Sequence, residues 1–82
     1  MLEKRAFALD DIYVPVKRRR TLDAGKVAAL AESILEQGQQ IPIRVRRDGD
    51  RYVLVEGLHR LEACRSLGEE SIDGVLVHAA LR

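Results

Sequence analysis

Between Tyr52 and Leu67 the hydrophobic period of this chain changes with almost nothing in between. Tyr52-Val53-Leu54-Val55 is a short, β-branched, apolar run of the kind that forms a buried strand. From Leu58 onward the apolar residues Leu58, Leu61, Cys64 and Leu67 recur every three positions, which places them on one face of a helix. Only Glu56-Gly57 separates the two patterns. A strand that becomes a helix across two residues lays that helix back on its own sheet, so the chain is confined to layered arrangements of helix on sheet. The same turn raises a chemical question. A glycine at a helix start followed by His59 and Arg60 is a way to hold an anion, because the first helical N–H groups are unpaired and carry partial positive charge.

The remaining segments fit around this unit. Residues 5 to 9 read as a first strand, Asp10-Asp11 as a turn, and the following piece as extended, held off helix by Pro15. Residues 16 to 20, "VKRRR", read as a charged loop. Thr21 is an N-cap candidate, Asp23 adds negative charge to the first turn, and Val27, Leu30, Ala31, Ile34 and Leu35 trace an apolar stripe that Gly38 ends. Ile41, Ile43 and Val45 alternate, Asp48-Gly49 marks a hairpin, and the return strand leads into the turn at Gly57. Gly68 closes the second helix and "SIDGVLVHA" supplies a last strand. The expected fold is α+β, in the order β-α-β-β-α-β, with a small mixed sheet and two main helices.

Eighty-two residues make one domain with one modest core. Hydrophobic residues are 46% and charged residues 33%, a folded balance rather than a disordered one, and with no Trp and one Phe the core must be largely aliphatic. One cysteine and two histidines supply neither a disulfide nor a metal-ligand cluster, so no metal is expected. No apolar run approaches the ~20 residues of a membrane span. The expectation is a cytoplasmic protein with no membrane association. Charge is uneven: residues 1 to 51 carry 11 Lys/Arg against 8 Asp/Glu, and residues 52 to 82 carry 3 against 5. Arg18, Arg19, Arg44, Arg46 and Arg47 account for much of the basic excess. They form either a solvated face or a phosphate-binding surface that could meet DNA non-specifically. A chain this small, with few aromatics and an "IRVRR" strand expected to be exposed, would also gain from pairing as a homodimer.

Two stretches, "LAESILEQGQQIPIRV" and "VEGLHRLEACRSLG", resemble the N-terminal domain of ParB partition proteins and sulfiredoxin, which share a fold, over about residues 7 to 78. The resemblance implies that the turn Gly57-Leu58-His59-Arg60 binds the phosphates of a nucleotide, CTP or ATP, with or without Mg²⁺. Arg60 would grip phosphate oxygens as a fork and His59 would donate from a ring nitrogen. On the first helix Lys26 and Ser33, two turns apart and on one face, match the lysine and hydroxyl residue with which sulfiredoxin holds ATP; Ala29 stands where that family has serine. Arg20 matches the arginine of the ParB Pro-Arg segment.

The departures limit the chemistry. Sulfiredoxin needs a cysteine where this chain has Leu58, and a leucine cannot attack an activated sulfinyl group; ParB has glutamate there. Cys64 falls on the apolar side of its helix and is expected to be a buried structural thiol. Glu56 and Glu62 are the nearest carboxylates that could orient water or a metal. The resulting expectation is a small ParB-like module of a plasmid, phage or chromosome partition system that binds a nucleoside triphosphate with little or no turnover, at most a weak triphosphatase. The alternatives are a DNA-associated module that uses its arginine surface, and a small-molecule kinase.

Overall fold

The computed structural model describes residues 4–38 and 41–78. In chain order the elements are β1 (Lys4–Ala8), a 3-10 turn (Leu9–Asp11), β2 (Ile12–Tyr13), α1 (Val16–Arg19), α2 (Ala24–Gln37), β3 (Ile43–Asp48), β4 (Arg51–Glu56), α3 (Leu58–Ser66) and β5 (Ser71–Leu76). The strands form a single mixed sheet in the order β1-β5-β3-β4-β2. β1 and β4 run antiparallel to β5 and β3 respectively, whereas β2 pairs with β4, and β3 with β5, in parallel. The β3-β4 hairpin turns through Gly49-Asp50, with Asp48 opposite Arg51.

The helix α3 packs on one face of this sheet and α2 packs on α3. Alternation along the strands decides what lies between. Phe7, Ile12, Ile43, Val45, Leu54 and Ile72 point to α3 and meet Leu58, Leu61 and Cys64 in one buried cluster. Ile43, wholly buried, is the centre of it. Its branches occupy space that two glycines leave free: a Cβ on Gly57 would lie 2.6 Å from Ile43 Cγ2, and one on Gly74 would lie 3.0 Å from Ile43 Cγ1. The strand-to-helix turn is thus seated directly on the middle strand.

Four expectations need correction. Residues 16 to 20 are not simply loop, because Val16–Arg19 form a one-turn helix whose N-cap is Pro15, a residue already fixed near helical φ. Thr21 does not cap α2. Its hydroxyl donates to the Arg18 carbonyl at 2.7 Å, finishing α1, and Asp23 is the cap of α2, accepting from the Lys26 N–H at 3.1 Å. The stripe on α2 is not a core stripe. Val27, Leu30, Ala31 and Ile34 are half-buried, and Leu35 is 72% exposed, because α2 rests on α3 and not on the sheet. Finally, β3 is no exposed strand. It holds the centre of the sheet with β5 on one side and β4 on the other, so it offers no free edge for pairing; the edges are β1 and the two-residue β2.

Candidate functional site

Gly57 caps α3 with φ 109° and ψ 31°, a left-handed conformation that a side chain would resist, and no side chain caps the helix start. The first bond of the helix is donated by Leu61 N–H to the Gly57 carbonyl at 2.9 Å. The N–H groups of Leu58, His59 and Arg60 precede it, so they are the donors that a helix start leaves without an intrahelical partner. Glycine is needed here for two reasons that involve no ligand, the backbone angle and the contact with Ile43.

The four residues of this turn have different surroundings. Leu58 is 7% exposed and belongs to the core cluster, so its side chain is a rung of the buried stripe and only its N–H faces the turn. His59 is half-buried and is already engaged: its Nε2 accepts the backbone N–H of Asp23 at 3.0 Å. That nitrogen therefore carries no proton, and only Nδ1 is left to donate. Arg60 is half-buried and forms no ion pair among the described residues. It is the one cation of the turn with its charge uncommitted.

The His59 bond does something that neither residue announces by itself. Asp23 caps α2 while its own N–H reaches into the first turn of α3, so the starts of the two helices are tied together. Lys26 lies in the first turn of α2 beside this tie, exposed, and Ser33 is exposed two turns further along. The Asp23 carboxyl is held below its ordinary value of 3.8, first by the Lys26 N–H bond, with the Gly25 N–H and the Lys26 charge acting in the same direction. Arg20, the C-cap of α1, is exposed and comes shortly before this junction in the chain.

A cleft of roughly 400 Å³ adjoins the turn on the side of α1. Ile12, Val14, Leu22 and Leu58 give it apolar walls, and Arg19 and Glu62 give it a polar rim. Glu62 is held by Arg65 at 3.7 Å, and Arg65 also reaches Asp10 at 4.0 Å. Glu56 is exposed and pairs with Arg44 at 3.5 Å. Neither carboxylate stands free over the helix start. Among the described residues no group of three His, Cys, Asp or Glu side chains could hold a metal, and no helix is long and apolar enough to cross a membrane. Cys64 is buried, and burial pushes its thiol pKa upward, with Glu69 adding to the effect, so it is a poor nucleophile.

The basic surface is dispersed in the same way. Arg47 lies over the Tyr52 ring with its guanidinium 5.8 Å from the centroid, and Arg51 lies over Tyr13 at 4.1 Å while contacting Asp48. Arg44 is the partner of Glu56. Arg18 and Arg46 share a cleft on the other face of the sheet.

A mixed five-stranded sheet, a helix that springs from a glycine at the end of β4 and a second helix tied to its start define a small α+β domain of the ParB/sulfiredoxin type. The chain belongs to the ParB N-terminal domain family, whose pattern matches residues 4–81. It is 39% identical over 64 residues to the chloroplastic/mitochondrial sulfiredoxin of Arabidopsis thaliana, covering 78% of this chain and 51% of that protein. It is 36% identical over 58 residues to the chromosome-partitioning protein ParB of Myxococcus xanthus, covering 71% of this chain and 20% of the relative. The chain thus spans about half of one relative and a fifth of the other. Among solved structures, Arabidopsis sulfiredoxin superimposes with a TM-score of 0.84 at 32% identity, covering 94% of this chain and 86% of that one. A C-terminally truncated ParB of Caulobacter crescentus, complexed with CTP-gamma-S, superimposes with a TM-score of 0.77 at 25% identity, covering 98% and 46%.

Proposed function

We propose that this domain binds a nucleoside triphosphate, CTP or ATP, at the joined starts of α2 and α3, and that it turns the nucleotide over slowly or not at all. The observation that carries the reading is the start of α3, which no side chain caps, together with Arg60 in its first turn, which forms no ion pair among the described residues. Backbone donors and helix polarity favour a phosphate there, and the guanidinium supplies a fork for its oxygens. Lys26 and Ser33 from α2 and Arg20 from the end of α1 extend the cradle. The apolar cleft beyond Leu58 suits the remainder of the nucleotide. The nucleotide-bound Caulobacter ParB is consistent with this, at an identity where the fold is shared over nearly the whole chain.

Turnover is slow in this reading because the turn presents no free carboxylate and no nucleophile. Leu58 faces the core, His59 Nε2 is occupied, and Glu56 and Glu62 are held by arginines. Mg²⁺, where used, would be carried chiefly by the phosphates themselves. The setting we assign is a cytoplasmic ParB-like module of a bacterial chromosome, plasmid or phage partition system. DNA retention through the arginine surface is the weaker reading, since Arg44, Arg47 and Arg51 are engaged within the domain.

The test is calorimetric titration with the four ribonucleoside triphosphates, with and without Mg²⁺, on wild type and Arg60→Ala. A charge-assisted contact of about 1.5–3 kcal/mol predicts that the variant binds about ten- to a hundredfold more weakly with its fold intact. Equal affinity in the two proteins, or no binding by either, defeats the proposal.

A further inference from the structure

We infer a second ligand site on the face of the sheet turned away from α3, a cleft that takes a small organic anion, a carboxylate or phosphate ester with an apolar body. Val45 and Leu54 point into the core, so their strand neighbours Arg46 and Val53, opposite each other in register, point to the other side. Val55 on β4 and Val77 beyond β5 extend that row. Val77 stays in the sheet because its N–H donates to the Val45 carbonyl at 2.8 Å. No helix of the α2-α3 layer covers these valines.

One wall is built by α1. Arg18 donates its N–H to the Pro15 carbonyl at 3.0 Å, and its own carbonyl accepts both the N–H of Thr21 at 3.0 Å and the Thr21 hydroxyl at 2.7 Å. The backbone that carries this guanidinium is therefore fixed. Sheet order puts Pro15 and Arg18 on the β2 side and His78 on the β5 side, with Arg46 between them. The space is an open cleft of roughly 450 Å³, large enough for a small molecule.

The lining chooses the ligand class. Arg18, Arg46 and His78 line the cleft, and no Asp or Glu is among the described residues that line it. Neither arginine forms an ion pair among the described residues, and Glu56, the acid of β4, is drawn to Arg44. Arg18 and His78 are exposed and Arg46 is half-buried, so an anion in the cleft would meet donors that no described acid already holds. Val53 is already buried, but Val55 and Val77 are only half-buried; a bare inorganic ion would leave these two wet, whereas an apolar body covers them. A nucleic-acid strand is a poorer match, because such strands use rings to stack on and no Phe, Tyr or Trp is among the described residues that line the cleft. The site is separate from the helix junction and stands or falls without it.

Phenyl phosphate, benzoate and inorganic phosphate, titrated separately into the ¹⁵N-labelled protein, provide the test. For at least one of the first two, saturable amide shifts should centre on Arg46, Val53, Val55 and Val77, and should leave Leu58–Arg60 unmoved; comparing the two tells phosphate ester from carboxylate. Inorganic phosphate should bind there more weakly. Arg18→Gln and Arg46→Gln keep much of the aliphatic stem and should each weaken the tighter ligand about tenfold or more. Absence of saturable shifts with both organic anions, shifts confined to the α3 start, or unchanged affinity in both variants would overturn the site. So would DNA that displaces the anion and binds more tightly through the same two arginines.

Discussion

Replacing Gly57 by alanine separates what the turn needs from what a ligand needs. The added Cβ would lie 2.6 Å from Ile43 Cγ2 and 3.0 Å from Ile43 Cβ, at a backbone φ of 109°. Left-handed backbone costs a non-glycine residue about 1–2 kcal/mol, and overpacking a filled core costs about 1–3 kcal/mol more. Together these come to about 2–5 kcal/mol. A domain of 82 residues has, at ordinary stability per residue, about 4–12 kcal/mol to lose, so Gly57→Ala should be folded but much weakened. Urea unfolding of wild type, Gly57→Ala, Ile43→Ala and the double variant gives the apportionment. Removing Cγ2 from Ile43 relieves the clash but not the backbone angle, so the cycle should show a favourable coupling of about 1–2 kcal/mol. A Gly57→Ala cost within about 0.5 kcal/mol, the scatter of neutral surface changes, would refute the seating of α3 on Ile43.

Further expectations concern the same corner of the molecule. His59→Ala removes the acceptor of the Asp23 N–H, so amide exchange at Asp23 should quicken relative to the centre of β3; unchanged protection there would mean that the two helix starts are not tied by this bond. Leu58→Glu places a carboxylate in the core cluster and should lower the urea midpoint by the equivalent of several kcal/mol, whereas an unchanged midpoint would show the side chain to be turned outward. The Asp23 carboxyl is depressed in the folded state, so its contribution is complete above the ordinary value of 3.8 and is lost as pH falls through the lower folded value. The gap in melting temperature between wild type and Asp23→Ala should accordingly close only in that acid range. A gap that closes near neutrality would implicate another group.

What could be read from the chain was whatever is decided within a few residues. The turn at Gly57, the end of α2 at Gly38, the Gly49 hairpin and the inward face Leu58-Leu61-Cys64 all follow from local period and backbone chemistry. Thr21 and Asp23 are both good caps two positions apart, and composition cannot choose between them; the choice falls to Asp23 because its N–H finds His59. That partner lies in another helix, beyond any local pattern. The place of β3 at the centre of the sheet is likewise invisible locally, since "IRVRR" alternates as well for a central strand as for an edge. Polar residues outward on one face do not reveal who sits on either side. The apolar stripe of α2 was legible as a helix signal and misleading as a burial signal, because its depth depends on whether the helix meets the sheet or another helix. For the candidate site, the turn could be read and the occupation of its side chains could not.

The pairing of β1 with β5 has a mechanical side. Lys4 lies opposite Val75 and Ala8 opposite Ser71, so the two strands enter and leave this pair at the same end. Tension applied through residues 4 and 76 would load the ladder at its first rung and open it rung by rung, as a zipper opens, instead of shearing every hydrogen bond at once. β1 has no other strand neighbour, and it would come away while the Gly57 turn still rests on Ile43. Phe7 and Ile72, opposite each other in that pair, would then be the first core residues to meet water.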